Sequence, residues 1–180
     1  TTLIGQVCGS IAPDAGSIHL AGIDATHLSS HQRARLGLAR SYQITSIFPA
    51  FSVLDNVAMA VQAGRGTSFS FWRPVADEAD LANEALDILR QVGLADLPTR
   101  TARALSHGEH RQLEVALALA THPRVLLLDE PMAGMGVEES ARMVELIGGL
   151  RGKYSVLLVE HDMDAVFRLA DRISVLVAGR

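Results

Sequence analysis

Cysteine is nearly absent from this 180-residue chain. With Cys8 alone, no disulfide can close within it, a composition that suits a reducing compartment. Cys8 stands among apolar residues and reads as a small core filler rather than a nucleophile. Aromatic residues are scarce as well, 4% of a chain that is 48% hydrophobic, so the core must be built from Ala, Val, Leu and Ile. That argues against a β-sandwich and for an α/β protein with buried parallel strands. Basic charge is not in excess either. The net charge of -4 supplies no field that would draw the chain to a nucleic-acid backbone, and no nucleic-acid partner is expected. A polyanionic ligand would have to be held by local groups. No apolar run approaches the roughly 20 residues that span a bilayer. A mean hydropathy of +0.22 nevertheless points to surfaces that meet a partner. No fixed-period repeat or low-complexity tract is visible.

What is present divides the chain, read as a single domain, into three zones. Residues 1–43 carry a helical pattern at the start, a turn-rich APDAG, a strand expected over Ser17–Leu20 and a helix over His31–Leu36. Residues 44–104 are expected to be helical, over Val53–Gln62 and Asp77–Val92, around a GRGTSFSFWRP segment whose Gly, Ser and Pro indicate a loop. Phe69, Phe71 and Trp72 in that loop could form a docking surface or fold back on the domain. Residues 105–180 alternate: helix Glu109–Thr121, strand Val125–Leu128, helix Glu138–Leu150, strand Val156–Val159, helix Met163–Leu169, strand Ile173–Val177. Helices alternating with strands predict a parallel sheet.

Ligands of open parallel sheets bind beyond the carboxyl ends of the strands. The run VLLL ends in Asp129 and Glu130, and VLLV ends in Glu160 and His161, so two neighbouring strands deliver carboxylates and an imidazole to one rim. Each pair alone could be a solvated strand end or helix cap; their joint placement points to chemistry. LSHGE also reads two ways. Ser106 and Glu109 fit the S-x-x-E capping box. Gly108, having no side chain, is equally expected to leave the helix entrance bare, with N–H groups and the positive dipole end open to an anion.

Taken in order, these motifs resemble those of the nucleotide-binding subunits of ABC transporters. LSHGEHRQLEVALAL resembles the signature usually written LSGGQ, VLLLDEP the Walker B strand with its glutamate, and EHD the segment with the switch histidine. Gln43, in RSYQITSIFPAFSVLDNV, matches the Q-loop glutamine. The opening TTL resembles the end of the phosphate-binding GKTTL, so Thr1 matches the P-loop threonine. The chain is accordingly expected to be truncated within the P-loop and again after Arg180, and residues 1–180 alone to hydrolyse ATP negligibly.

The resemblance implies a P-loop NTPase-type parallel sheet core with an ABC helical subdomain, at 44–104, and a small antiparallel β region. It implies ATP and Mg²⁺ as ligands. Thr1, Gln43 and Asp129 would hold the metal, partly through water, with Thr1, Thr2, Gln43, Ser106 and Gly108 on nucleotide. Glu130 would polarise the attacking water and His161 would contact the γ-phosphate. Ser106 and Gly108 would face ATP bound to a second ABC subunit in a head-to-tail dimer. The MAGMG segment corresponds to the D-loop and departs from the commoner pattern with a central aspartate. ARSYQ, FPAFSVLDNV, LSHGE and AGMG together are most similar to ATPases of branched-chain amino acid importers. Transmembrane permease subunits are then the implied partners, placing the chain peripherally on the cytoplasmic face of the inner membrane. The alternatives are the ATPase of a lipopolysaccharide or other amphiphile exporter, and a catalytically dead interaction subunit.

Overall fold

The computed structural model describes residues 2–41, 47–65 and 75–177, with backbone alone for 75–78. Thr1, Gln43 and the segment with Phe69, Phe71 and Trp72 lie outside the described residues. Chain order is α1 (Thr2–Cys8), β1 (His19–Leu20), β2 (Ile23–Asp24), α2 (Ser30–Arg35), β3 (Leu38–Arg40), α3 (Val53–Gly64), α4 (Val75–Gln91), α5 (His107–Leu119), β4 (Val125–Asp129), α6 (Val137–Gly149), β5 (Ser155–Val159) and α7 (Met163–Leu169).

The two apolar runs form neighbouring strands of a parallel sheet in the order β3-β4-β5. Leu38 pairs with Val125 on one side of β4, and Val125 with Ser155 on the other, a register that ends with Asp129 opposite Val159. Flanked on both sides, β4 buries Leu126, Leu127 and Leu128 completely. Among the described residues β5 has a strand on one side only, and it stays partly exposed along its length. The sheet ends therefore converge on one rim, as parallel strands with helical connections require.

β1 and β2 make a two-residue antiparallel hairpin through Ala21 and Gly22, both at positive φ (51° and 81°), the backbone that a tight primed turn demands. Behind it, Ile4, Cys8, Leu20, Ala25, Leu38 and Leu127 close a small core. The buried guanidinium of Arg33 ties this region together, donating to the carbonyls of Gln6 and Val7 at the end of α1, and to those of Thr26 and Leu28. A larger core joins α3, α4, α5 and α6 to β4. α3 and α5 both begin with a serine capping box, Ser52 with Asp55 and Ser106 with Glu109.

One expected strand does not form. Residues 173–177 are irregular, and Ile173, Val175, Leu176 and Val177 are exposed, Val175 by 74%. Their sequence is strand-like, but β propensity is expressed only where the backbone finds a ladder, and no strand among the described residues pairs with them.

Candidate functional site

The four rim residues read from sequence do come together at the carboxyl ends of β4 and β5. Asp129, the last residue of β4, is buried to 5% exposure and its Oδ2 lies 3.1 Å from Arg40 Nη2 at the end of β3. Only this oxygen of the carboxylate is hydrogen-bonded among the described residues. Glu130 then turns out of the strand: its φ is +48°, a left-handed conformation that costs a non-glycine residue about 1–3 kcal/mol. The turn is held from both sides. Glu130 N donates to Val159 O at 2.9 Å, and its carbonyl accepts from Ala133 N at 3.1 Å.

On the neighbouring strand the two residues part ways. The Glu160 side chain is 1% exposed, accepting from Met132 N at 3.0 Å and from His161 N at 3.2 Å. It thereby fastens the end of β5 to the turn that carries Glu130. The His161 ring is 77% exposed, free to meet a ligand at the rim. Behind it, Asp162 caps α7 by accepting from the amides of Asp164 and Ala165.

The signature segment shows its capping box intact. Glu109 N donates to Ser106 Oγ at 3.2 Å, and Ser106 N donates to Glu109 Oε2 at 2.7 Å. The expectation of a bare helix entrance at Gly108 is overturned. Gly108 N donates to Glu139 Oε1 at 3.3 Å, because α6 brings a carboxylate to the amino end of α5. A Cβ at Gly108 would stand 2.7 Å from that oxygen, so only glycine admits this approach unless Glu139 shifts. His107 reaches the other way, its Nε2 3.1 Å from Ala133 O, the ring nitrogen donating. The α5 amino end is thus joined to both the turn after β4 and the helix beyond it. Ser106, Gly108, Glu109, Glu139 and Arg142 line a recess of about 240 Å³ there.

Thr2 opens α1 as an exposed residue, and no hydrogen bond among the described residues joins it to the rim. Cys8 ends α1 near Arg40, and burial pushes its thiol pKa up against the lowering influence of Arg40. No cluster of three or more His, Cys, Asp or Glu residues suited to a metal occurs among the described residues. Asp129 nevertheless fits a hard cation such as Mg²⁺, since it offers a carboxylate oxygen not already hydrogen-bonded.

Two residues were missed in the sequence, Arg40 and Glu139, and Glu160 was placed at the rim without its fastening role. Glu160 had a visible signal, since it directly precedes His161 at a strand end. Arg40 ends a strand that runs parallel to β4, but its partner lies 89 residues away. Glu139 resembles an ordinary acidic residue in the first turn of a helix, and it does cap α6, with Gly136 N donating to Oε2 at 3.4 Å. Nothing local to it announces α5.

Comparison with known proteins gives consistent results. Residues 1–133 match the family model described as ABC transporter. The chain is 33% identical over 186 aligned positions to BraF, the high-affinity branched-chain amino acid transport ATP-binding protein of Pseudomonas aeruginosa; the match covers 99% of this chain and 73% of BraF. It is 35% identical over 183 positions to PhnT of Salmonella paratyphi A, an import ATP-binding protein assigned provisionally to 2-aminoethylphosphonate, covering 99% of this chain and 46% of PhnT. Among solved structures, the ADP conformation of an ATP-binding cassette from an ABC transporter superposes with a TM-score of 0.77 at 25% identity, covering 94% of this chain and 68% of the other.

Proposed function

The chain belongs to the family of ABC transporter ATP-binding subunits, and from that premise we propose that it hydrolyses ATP in a head-to-tail dimer to drive import of branched-chain amino acids. The cargo rests on the likeness to BraF; the observation that supports hydrolysis is the register of β4 and β5. It ends with Asp129 opposite Val159, so that the next residues, Glu130 on one side and Glu160 and His161 on the other, follow at the same rim; this supports reading Asp129 as cation ligand, Glu130 as proton acceptor and His161 as the phosphate contact.

Mg²⁺, when bound with ATP, neutralises charge on the β- and γ-phosphates. Asp129 would hold the metal, with Thr1 and Gln43 as the further oxygen ligands proposed for it. Thr1, Thr2 and Gln43 also contact the nucleotide. Glu130 accepts a proton from the attacking water, the left-handed turn and the Val159 hydrogen bond fixing where its side chain departs from the sheet. His161 donates to a phosphate oxygen from its exposed position. Glu160 does not meet the substrate; it keeps the 130–133 turn in place through Met132. Ser106 and Gly108 act on the nucleotide of the second subunit, so hydrolysis needs two chains.

The partners are transmembrane permease subunits. No helix among the described residues is long and apolar enough to cross a membrane, and a peripheral seat at the cytoplasmic face of the inner membrane follows from permease binding. An exposed groove between α3 and α4, lined by Phe51, Leu54, Ala58, Met59, Leu81 and Ala82, offers the permease an apolar surface.

Proteoliposomes holding the protein assembled with transmembrane permease subunits test the assignment. ATP-dependent uptake of leucine, isoleucine or valine is the expected outcome. Uptake of 2-aminoethylphosphonate in its place would move the substrate to that of the PhnT-like relatives. ATP-driven export of an amphiphile would overturn import altogether. Absence of ATPase activity with the permease assembled would make the chain an interaction subunit.

A further inference from the structure

We infer that Glu139 is a resident anion at the amino end of α5, a carboxylate that the neighbouring subunit's phosphate has to displace before the two subunits can close. The inference rests on the head-to-tail reading above and deepens it by naming what sets the threshold for closure.

Gly108 is the second residue of α5, and its N–H is one of the donors that a helix leaves without an internal partner. The Ser106 hydroxyl already serves Glu109 N. Gly108 N is served instead by Glu139, 31 residues further along the chain in α6. The other oxygen of the same carboxylate accepts from Gly136 N. One carboxylate therefore spans the amino ends of two helices, where both dipoles favour negative charge.

Both hydrogen bonds are long, 3.3 and 3.4 Å, beyond the usual range of about 2.7–3.2 Å. Such long bonds are weak ones, so the carboxylate can be displaced by a group of greater charge. A phosphate oxygen approaching Gly108 N and Ser106 Oγ would meet it directly, since two anions cannot share one N–H without mutual repulsion. The space for it to leave exists: Arg142, one turn further along α6, lines the same recess and makes no hydrogen bond or ion pair among the described residues. Residues three apart on a helix can pair, so the displaced carboxylate has a cation within reach.

The test uses the full-length protein carrying Glu130→Gln, in which the ATP-bound dimer is not consumed by hydrolysis. The ATP concentration that gives half-maximal dimerisation is measured by size-exclusion chromatography with and without Glu139→Gln. Glutamine keeps an acceptor oxygen and still satisfies a capping box, so it removes the charge and leaves the caps. The half-maximal ATP concentration is expected to fall about three- to tenfold, the scale of one partly exposed charge interaction counted at both sites of the dimer. A role confined to capping α6 would change the melting temperature and leave this threshold alone. If Glu130→Gln dimerises with ATP and Glu139→Gln leaves the threshold unchanged or raises it, the inference is wrong while the head-to-tail reading stands. If Glu130→Gln fails to dimerise with ATP at all, both are wrong.

Discussion

The guanidinium of Arg40 and the carboxylate of Asp129 meet at 3.1 Å across two parallel strands, with the side chains 17% and 4% exposed. Asp129 is thus compensated before any metal arrives. Replacing Arg40 by methionine leaves a buried carboxylate without this partner and is expected to lower stability by about 2–4 kcal/mol. Urea denaturation of Arg40→Met measures the loss. Adding Asp129→Asn should recover part of it, since the two changes act on one pair; additive losses would mean that the pair contributes nothing.

Glu130→Gln separates binding from hydrolysis. In the full-length protein the amide is expected to preserve ATP binding while slowing turnover about 100-fold or more, the scale of a lost general base. ATP-bound dimers should accumulate on size exclusion. Near-normal turnover would move the proton acceptor elsewhere.

Ser106 and Gly108 both bear on ATP-driven dimerisation, which Ser106→Ala should weaken and Gly108→Arg abolish, but only the first is also a helix cap. Ser106→Ala removes the cap seen at Glu109 N and should cost about 1 kcal/mol of stability. Gly108→Arg puts bulk where even a Cβ meets Glu139, and is expected to abolish ATP-driven dimerisation while each monomer still binds nucleotide. Mixing Gly108→Arg chains with Glu130→Gln chains creates heterodimers in which one composite site carries both defects and the other carries neither. Partial recovery of ATPase activity is the expected result. No recovery, with activity lost in proportion to each mutant, would mean that the signature acts within its own subunit.

Cys8 supplies a pH test. Burial raises its folded-state thiol pKa above the reference of 9.0. The neutral thiol is therefore favoured by folding, and its contribution is complete below about pH 8.5 and lost as the unfolded chain ionises above it. Stability of the wild type should fall more steeply between pH 8.5 and 10 (roughly one reference-pKa window) than that of Cys8→Ala. Iodoacetamide at neutral pH should label Cys8 only as fast as the protein opens; rapid labelling of the native state would show that the thiol is accessible.

Much of the fold was legible because it rests on local pattern. α7 covers the Met163–Leu169 span expected from sequence, and β4 exceeds its expected span by the single residue Asp129. The rim was legible for the same reason, since parallel strands ending in acidic residues place those residues together. What stayed hidden depends on partners distant in the chain. The strand expected at 173–177 does not form, and no strand among the described residues offers it a ladder. Arg40 finds Asp129 across 89 residues, and Gly108 finds Glu139 across 31. No periodicity reports such pairings. LSHGE looked open to an anion because glycine has no side chain, whereas the missing side chain is what lets an internal carboxylate approach.

The left-handed turn at Glu130 has a bearing on any effort to make this protein hardier. Glycine or asparagine at that position would relax the backbone, so a screen scoring survival to heat would be drawn to it. The variants it rewarded would lack the carboxylate proposed to accept the proton. At residue 130, resistance to unfolding and turnover pull in opposite directions, and thermal selection run without an activity readout would enrich for silent proteins.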